Sequence, residues 1–420
     1  MSIPWISLIP AHWEQHRAKN MFIKQSRPIR DEDDVVTCFR DGVVTLRKNR
    51  RTTGFTESTQ WSGYQGIRKG DLVIHVMDAF AGSIGVSDSD GKSTPVYSAC
   101  VAKMDLNNYY YAYLLREMAR TGFIQSLYRG IRERSSDFRF EVFAGLFLPL
   151  PPRAEQDQIV RYLDWKVSGV NRLINAKKKQ IVLLGEQIDI LVNQAVNNSQ
   201  IKMHLKQIVE IIRDWIVRDN TIEYSPVGVL NRGRGVFHKE RLQGYDLGSS
   251  EFFVVEPNTL MFSGQFAWEG AVAITTDKEK GCIASHRYYT IQGKGGVCKT
   301  EYLWAFFQTK LGDAILNKCS HGAAGRNKPL NFNELLNEYI PLPAFDIQEK
   351  ITHHVKLYLK YRELVKLYET LLAEYRTRLI SDVVTGKLDV RGVVVPEYEA
   401  MEEAADAFEG DTEEAEVDEG

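Results

Sequence analysis

The chain has 420 residues, of which 44% are apolar and 26% are charged, so it is long enough for two or three folded domains with their own cores. The net charge of −2 averages two unlike regions, since residues 397–420 hold twelve Asp or Glu and no Lys or Arg, which leaves +10 on residues 1–396. An evenly acidic surface is thereby excluded, and a basic body suits a polyanionic partner unless its charge serves solubility alone.

The opening segment, residues 1–17, contains the charged Glu14 and no long apolar run, and no stretch of 18 apolar residues occurs elsewhere. We therefore expect a cytoplasmic protein with neither a signal peptide nor a membrane-spanning helix. The cysteines lie far apart with no C-x-x-C pair, at Cys38, Cys100, Cys282, Cys298 and Cys319. Reduced, inert thiols are expected, and neither a disulfide framework nor a zinc site is indicated.

Two regions with frequent glycine have the pattern of mixed strands and short helices. Runs rich in Val, Ile and Tyr predict strands at 71–76, 96–102, 260–263, 271–275 and 288–291. Helices are predicted at matching places in the two halves, at 109–120 and 301–311.

Each of these regions ends in Pro-Leu-Pro, after which apolar residues recur every three or four positions. The pattern predicts two long helices with matching apolar seams, from Ile159 to Ala195 and from Ile351 to Val383. We expect the seams to pair, unless each packs locally on its own domain. Candidate coiled-coil positions are Ile174, Ile181, Leu184, Ile188, Val365, Leu372 and Leu379. A helix of about 40 residues spans about 60 Å, so the pair could act as a rod that sets a distance.

The second half of the chain repeats the first, mostly 192 residues later. Matched at this offset are Pro149-Leu150-Pro151 and Pro341-Leu342-Pro343, Gln156 and Gln348, Ile159 and Ile351, Gly130 and Gly322, Arg134 and Arg326, and Phe140 and Phe332. At slightly smaller offsets, 79–82 matches 267–270 and 94–97 matches 285–288. A duplicated unit predicts two similar sites related by an approximate two-fold axis.

One segment is close to a phosphate-binding loop. Residues 293–300, GKGGVCKT, lie one residue away from the pattern G-x-x-x-x-G-K-T, between a predicted strand and a predicted helix. The glycine that lets such a loop curl against phosphate is replaced by Cys298, whose side chain would intrude. The matching segment of the first half, 102–110, has no such motif. A phosphate-loop ATPase built around Lys299 is therefore kept only as an alternative.

No other enzyme motif is found. Zinc-protease, nucleophile-elbow and metal-spaced His/Cys patterns are missing, and adjacent residues such as His353 and His354 point in different directions on a helix. The Pro151-Pro152 pair follows Leu150, so the Asp/Asn-Pro-Pro-Tyr/Phe signature of an amino-methyltransferase is missing too. We predict a chain without a catalytic or metal site, although a site assembled from distant residues would leave no motif.

Cations cluster among turn residues in both halves. Arg can donate two hydrogen bonds to a guanine edge, whereas Lys and backbone amides mainly hold phosphates. For any single residue the alternative is a solvated surface charge. The candidate DNA-binding residues are Arg47, Lys48, Arg50, Arg51, Arg134, Arg232, Arg234, Lys239, Arg241, Arg326 and Lys328. Arg134 and Arg326 follow matched glycines that permit close backbone approach, which makes them the most specific candidates.

Further motifs carry a resemblance to a known family. They are Trp13-Glu14 after Ile9-Pro10, KGDLV at 69–73, MDAFAGSIG at 77–85, the two Pro-Leu-Pro helix starts, EYRTRLI at 374–380 and VVTGKLDVR at 383–391. Each motif is weak alone, but their order and duplication are specific. Over nearly all of residues 1–395, the chain resembles the specificity subunit of type I restriction-modification systems.

The resemblance implies an α/β (α+β) fold in which two target recognition domains each read one half of a bipartite DNA sequence. Two long helices between them would form an antiparallel coiled coil, with pseudo-two-fold symmetry. The implied divisions are recognition domains at 1–150 and 199–342, spacer helices at 151–198 and 343–395, and an acidic tail at 396–420, which we expect to be disordered.

The resemblance also implies partners and roles. The chain would perform no chemistry and bind no cofactor, and spacer length would set the gap between half-sites. Its partners would be double-stranded DNA, two modification subunits that use S-adenosylmethionine to methylate adenine N6, and two restriction subunits that use ATP and Mg; no membrane is involved. The alternatives are the specificity region of a fused restriction-methylation enzyme, and a coiled-coil scaffold independent of DNA.

Three features depart from the family pattern. Asn197-Asn198 stand where the second helix has Thr385-Gly386, and Gly185 interrupts the first seam, so the sequence leaves the end of the first spacer open. The third is the acidic tail, which we expect to be inert, with competition against DNA for the basic surface as the alternative.

Overall fold

The computed structural model describes residues 3–6, 8–50, 63–127, 138–322 and 328–400. The chain divides into two compact units: among the described residues, unit 1 comprises 3–174 and 369–400, and unit 2 comprises 175–368. Three candidate cations, Arg51, Arg134 and Arg326, and the tail from residue 401 onward lie outside the described residues.

Unit 1 is built on a four-stranded antiparallel sheet. Its elements ahead of the first long helix are β1 Glu14–Arg17, α1 Ala18–Met21, β2 Phe22–Lys24, β3 Val36–Cys38, β4 Val44–Leu46, β5 Gln65–Ile67, β6 Leu72–His75, β7 Ile84–Val86, β8 Gly91–Ser93, β9 Tyr97–Ala102, α2 Asn108–Arg120, α3 Phe123–Ser126, α4 Phe140–Gly145 and β10 Phe147–Leu150. The sheet has the order β2-β9-β6-β7. Leu72 and Ile74 face the core that includes α2, whereas Val73 faces a smaller core, as the alternation of a strand requires.

The first long helix, α5, runs from Arg153 to Asn198. It starts directly after Pro151-Pro152, where the proline ring prevents the chain from continuing the strand pairing of β10. It passes through Gly185 without a break, and an added Cβ there would lie 3.7 Å from the Tyr358 ring. A Cβ at this distance would make an ordinary van der Waals contact, so packing does not require the glycine, and the glycine does not end the spacer.

Unit 2 repeats the sheet of unit 1. The elements that complete the chain are β11 Lys202–His204, α6 Leu205–Ile208, β12 Val209–Ile211, β13 Asp214–Trp215, β14 Glu223–Tyr224, β15 Val227–Leu230, β16 Gly235–His238, β17 Leu242–Gln243, β18 Phe252–Val254, β19 Leu260–Ser263, β20 Val272–Ile274, β21 Ile283–Ser285, β22 Tyr288–Gly293, α7 Thr300–Phe307, α8 Lys310–Lys318, α9 Phe332–Asn337, β23 Tyr339–Pro341 and α10 Phe345–Val384. Its sheet has the order β12-β22-β19-β20, which matches that of unit 1 strand for strand.

Smaller features repeat as well. Three-residue 3-10 helices occur at Ala79–Ala81 and Ala267–Glu269, and the glycine after each is left-handed, with φ of 91° at Gly82 and 73° at Gly270. Only glycine adopts this conformation at little cost. The predicted duplication is thus present in the fold, down to single backbone angles.

Two predicted helix bounds were wrong. The single helix predicted at 301–311 is two helices, α7 and α8, because the Thr309 hydroxyl accepts a hydrogen bond from the Gly312 amide at 3.2 Å and so caps a new start. The second spacer helix, predicted to reach 395, ends at Val384. Gly386 has a φ of 76° and turns the chain, and a Cβ there would lie 2.5 Å from Pro10.

Within each unit the two long helices pair in opposite directions. In unit 1, Ile159 near the start of α5 shares a core with Val383 near the end of α10. In unit 2, Val192 near the end of α5 shares a core with Val355 near the start of α10. The predicted antiparallel pairing is confirmed. Of the seven predicted seam positions, the buried ones are Ile174, Ile188, Val365 and Leu379, and the half-buried ones are Ile181, Leu184 and Leu372.

Candidate DNA interface

A buried glutamine ties the start of each long helix to its own domain. Gln156 donates to the Pro151 carbonyl at 2.8 Å and accepts from the Asn107 amide at 2.9 Å. Gln348 does the same with the Pro343 carbonyl at 2.9 Å and the Lys299 amide at 2.9 Å. A buried amide with both ends satisfied fixes the orientation of what it joins. This contact explains why a glutamine follows Pro-Leu-Pro in both halves.

The candidate cations of unit 1 follow the β3–β4 hairpin, on the 3-10 helix Arg47–Asn49 and just after it. Two of them pair with acidic side chains: Lys48 with Asp34, and Arg50 with Asp41. The hydrogen bond from Lys48 lowers the pKa of Asp34. The Lys48 side chain is 64% exposed, and exposed ion pairs of this kind contribute about 0–1 kcal/mol. Phosphate oxygens could therefore replace these carboxylates at little cost.

The candidate cations of unit 2 begin in the turn between β15 and β16. Arg232 has a φ of 57°, a left-handed conformation that is strained for a residue with a side chain. Neighbouring backbone holds it there, since the Arg232 amide donates to the Glu269 carbonyl at 3.0 Å and the Gly233 amide donates to the Gly270 carbonyl at 2.9 Å. From α10, Arg362 donates to the Gly233 carbonyl at 3.1 Å. The turn is rigidly seated, and the Arg232 side chain is exposed.

Lys328 borders the same place. Its ammonium lies 4.8 Å from the centre of the Trp268 ring, and Trp268 directly precedes Glu269, whose carbonyl accepts from the Arg232 amide. A cation at this distance from an indole face is attracted by the ring quadrupole. The structure therefore gathers Arg232, Lys328 and an aromatic ring around the 3-10 helix Ala267–Glu269.

The remaining predicted cations of unit 2 divide between two places. Arg234 stays with the turn, where its Nε donates to the Asn231 carbonyl at 3.1 Å. Lys239 and Arg241 lie beyond the other end of β16, and a strand of that length spans about 13 Å. Arg241 pairs there with Glu223 at 3.3 Å. The cations that lie close together in the sequence therefore belong to two separate surface sites in the fold.

The segment that resembles a phosphate-binding loop is closed on itself. The Cys298 amide donates to the Lys294 carbonyl at 3.0 Å, and the Gly293 amide donates to the Thr300 hydroxyl at 3.1 Å. Cys298 is buried in the unit 2 core, and the Lys299 ammonium pairs with Glu349 at 3.5 Å. The arrangement differs from a phosphate-binding loop, in which the backbone amides and the lysine point at the anion.

Sequence reasoning missed two features of the candidate interface. Trp268 carried a usable signal, because it stands where the first half has Phe80 in the matched four-residue segment. Arg213 carried none: it donates to the Tyr288 carbonyl at 2.6 Å and lies 4.9 Å from the Tyr289 ring, distant in sequence. Arg213 also lies 5.4 Å from the ring of Trp215 in β13, and burial lowers the pKa of Arg213.

Within the described ranges, no group of three or more His, Cys, Asp or Glu side chains is placed to hold a metal ion. None of the helices in those ranges is both long and apolar enough to span a membrane.

Comparison with known proteins identifies the domain that carries the Arg232 turn. Residues 202–367 match the family model of the type I restriction modification DNA specificity domain. Over residues 202–367, the chain is therefore similar to this specificity domain. The matched residues include the Arg232 turn, Trp268 and Lys328, so the cation and aromatic cluster of unit 2 lies within the matched region.

Solved structures of specificity subunits have a similar fold. A chain from a study of complex assembly and conformational transition of the type I R-M system is 12% identical, has a TM-score of 0.56, and covers 91% of this chain and 100% of that chain. The type I S subunit of M. genitalium is 13% identical, has a TM-score of 0.50, and covers 91% and 99%. The HsdS subunit of Thermoanaerobacter tengcongensis is 14% identical, with a TM-score of 0.47 and coverage of 90% and 98%. No curated protein matches the chain.

Proposed function

We propose that this chain is the specificity subunit of a type I restriction-modification complex and reads a bipartite DNA target, with one recognition domain for each half-site. The observation that carries the proposal is the duplication: both units have the same sheet order and the same glutamine contact at the start of a long helix. The family model covers unit 2, and the internal repeat extends its role to unit 1. Two copies of one recognition fold suit two half-sites.

The chemistry of the turns supports contact with DNA. In unit 2 the exposed Arg232 can donate to a base edge or a phosphate, and Lys328 supplies a second cation beside Trp268. In unit 1 Lys48 and Arg50 would exchange their aspartates for phosphate oxygens. Such an exchange makes affinity fall as salt concentration rises.

The long helices have the surface expected of a scaffold for partner subunits. Many large apolar side chains on them remain exposed after the two helices have paired, which marks an interaction surface. In unit 2 these include Val182, Leu183, Ile190, Leu357, Leu364 and Leu367, and in unit 1 they include Leu173, Leu371 and Tyr375. We propose that modification subunits dock here, and that S-adenosylmethionine, ATP and Mg are used by the modification and restriction subunits while this chain binds none of them.

Each long helix contributes residues to both units, so we propose that helix length sets the gap between half-sites. Inserting one heptad into both α5 and α10 would keep the seam in phase and lengthen the rod by about 10 Å. The expected result is a longer unspecified gap with unchanged half-sites. Relaxed half-sites with an unchanged gap would contradict the role of the helices.

The test of the proposal is methylation-sensitive sequencing of cells with and without this chain. We expect loss of one bipartite modified motif when the chain is removed, and its return when the chain is restored. Restoration with a Glu141→Gln chain is the matched control, because this exposed position on α4 belongs neither to a cation cluster nor to a long helix. An identical set of modified sites with and without the chain would overturn the proposal.

A further inference from the structure

Unit 1 contains a cavity of about 930 Å³, and Arg50 is the one candidate DNA-binding residue among the described residues that line it. Its walls are α2, the β3–β4 turn and the parts of α5 and α10 that belong to unit 1. We call this cavity the arginine cleft. Its basic side chains are Arg40, Arg50, Arg116, Arg120 and Arg376, and its acidic side chains are Asp41, Glu117 and Asp164. The lining therefore has more positive than negative groups.

The acidic groups of the arginine cleft are already engaged. Glu117 accepts two hydrogen bonds from Arg120, at 2.5 and 2.7 Å, and Asp41 pairs with Arg50. Asp164 accepts from the Tyr113 hydroxyl at 2.8 Å, and burial raises the pKa of Asp164 while this hydrogen bond lowers it. Arg40 pairs with Asp78, and Arg376 donates to the Asn171 side chain at 3.0 Å, so the argument for an anion site depends on Arg116.

Arg116 differs from the other arginines of the cleft in its contacts. Its half-buried guanidinium makes no hydrogen bond or ion pair with any described residue, and it lies against the backbone of Gly42, where a Cβ would stand 2.5 Å from Arg116 Nη1. Burial lowers the pKa of Arg116, the nearby Tyr113 and Asp41 act in the opposite direction without bonding to it, and the charge of Arg376 adds to the lowering. A desolvated cation without a counterion is costly, so the site favours an anion.

The chain itself leads an acidic segment to this cleft. Gln158 on α5 donates to the Val390 and Val393 carbonyls at 3.0 and 2.6 Å, and Arg172, further along α5, donates to the Glu399 carbonyl at 3.2 Å. Residues 390–399 therefore follow α5 in the direction of increasing residue number. Tyr398 and Ala400 line the cleft.

We propose that the acidic C-terminal segment, residues 401–420, binds in the arginine cleft and supplies the counterion for Arg116. This segment has ten Asp or Glu and no Lys or Arg, and it begins at the wall of the cleft. A tethered anion has a high effective concentration, so several weak contacts suffice. A consequence would be competition between the segment and DNA for the basic surface of unit 1, and this consequence rests on the proposed function. Binding of the segment in the cleft does not depend on the proposed function.

The test uses the full chain in two forms: wild type, and a tail-neutral form in which the ten acidic residues of 401–420 are replaced by their amides. A fluorescein-labelled peptide of residues 401–420 is titrated at low salt and followed by anisotropy. We expect the tail-neutral chain to bind the peptide at least tenfold more tightly than wild type, whose own tail fills the cleft. Equal affinity of the two forms would overturn the proposal.

Variants in the tail-neutral chain locate the site. Arg116→Met, which keeps the aliphatic stem, is expected to weaken peptide binding at least fivefold, and Arg116→Lys is expected to recover most of the loss. Arg40→Met provides a second probe if Arg116→Met unfolds the chain, which thermal unfolding would reveal, because the Arg40 side chain lines the cleft and makes an exposed ion pair with Asp78. The matched control is Arg241→Met, an exposed, singly paired arginine of unit 2. Equal losses in Arg116→Met and Arg241→Met would place the peptide elsewhere and overturn the site.

A DNA titration separates this inference from the proposed function. The tail-neutral chain should bind DNA several-fold more tightly than wild type at low salt, and the two should converge as salt rises. If both forms bind DNA equally, competition is overturned. If neither binds DNA while the peptide results hold, the proposed function fails and the cleft still binds the tail.

Discussion

Units 1 and 2 share one sheet order but hold their candidate DNA-contacting cations differently. In unit 1, Lys48 and Arg50 are paired with carboxylates on an exposed surface. In unit 2, the backbone of Arg232 is seated on that of Glu269, while its side chain is exposed. The repeated parts are buried and hydrogen-bonded, and the parts that differ are exposed turns. The duplicated frame is therefore alike in the two units while the exposed turns differ, which fits the proposal of two different half-sites.

The largest expected effect concerns the shared frame. Gln348→Leu would leave the Lys299 amide and the Pro343 carbonyl without their partner, at a cost of about 2–4 kcal/mol in the free energy of unfolding. Gln156→Leu should cost a similar amount in unit 1. Denaturant unfolding, with hydrogen exchange to assign the loss to a unit, measures both. The exposed change Gln187→Leu is the control, and a loss confined to one of the two glutamines would break the equivalence of the units.

The next effect concerns the unit 2 turn. Arg232→Gly removes a cation, so DNA affinity should fall about tenfold. The change also relieves the strain of a left-handed backbone, so thermal stability should not decrease. Lys239→Ala, at the far end of β16, should weaken binding less. Equilibrium DNA binding and thermal unfolding of both variants provide the comparison. An Arg232→Gly chain that binds DNA as wild type does would remove this turn from the interface.

A smaller difference should appear with pH, because His75 in β6 corresponds to Ser263 in β19. Burial lowers the pKa of His75 from its ordinary value of 6.5, so the folded state favours the neutral ring. The unfolded chain binds the proton more readily, and the stability from this group is present above about pH 6.5 and is lost as pH falls below it. The protection factors of β6 amides, which are corrected for the intrinsic pH dependence of exchange, should therefore fall at acidic pH in wild type but less so in His75→Ser. The same acid response in both chains would contradict this assignment.

The smallest effect is expected at the loop that resembles a phosphate cradle. The Lys299 ammonium makes one partly exposed ion pair, so Lys299→Ala should cost less than about 1 kcal/mol of stability. Calorimetry with ATP and Mg should detect no binding in wild type or variant. Micromolar affinity that disappears in Lys299→Ala would revive the ATPase alternative and make the two units functionally unlike.

Local patterns made the frame predictable. The heptad seams set the long helices, and the repeated Pro-Leu-Pro and glutamine marked their starts, because periodicity and helix starts are encoded within a few turns. The contacts were not predictable in the same way. Gln156 meets the Asn107 amide 49 positions away, and Asp34 meets Lys48 across a hairpin. Such pairings depend on how the chain folds back, which no local spacing encodes.

The break between α7 and α8 shows the same limit at short range. Apolar spacing runs on through 301–311, but Thr309 uses its hydroxyl to cap a second helix. The apolar spacing favours one continuous helix, whereas the hydrogen bond of the Thr309 side chain divides the segment into two helices. At the candidate interface, the sequence indicated Arg232 and Lys328 separately, and only the fold places both beside Trp268.

The most direct test of two reading domains is to damage one of them and sequence every modified site. In cells that carry the chain with Arg232→Gly and Lys328→Ala, we expect one half of the bipartite motif to accept more bases. The other half and the gap should stay as in wild type. Relaxation of both halves together, or a shifted gap with both halves intact, would contradict the account of one domain for each half-site.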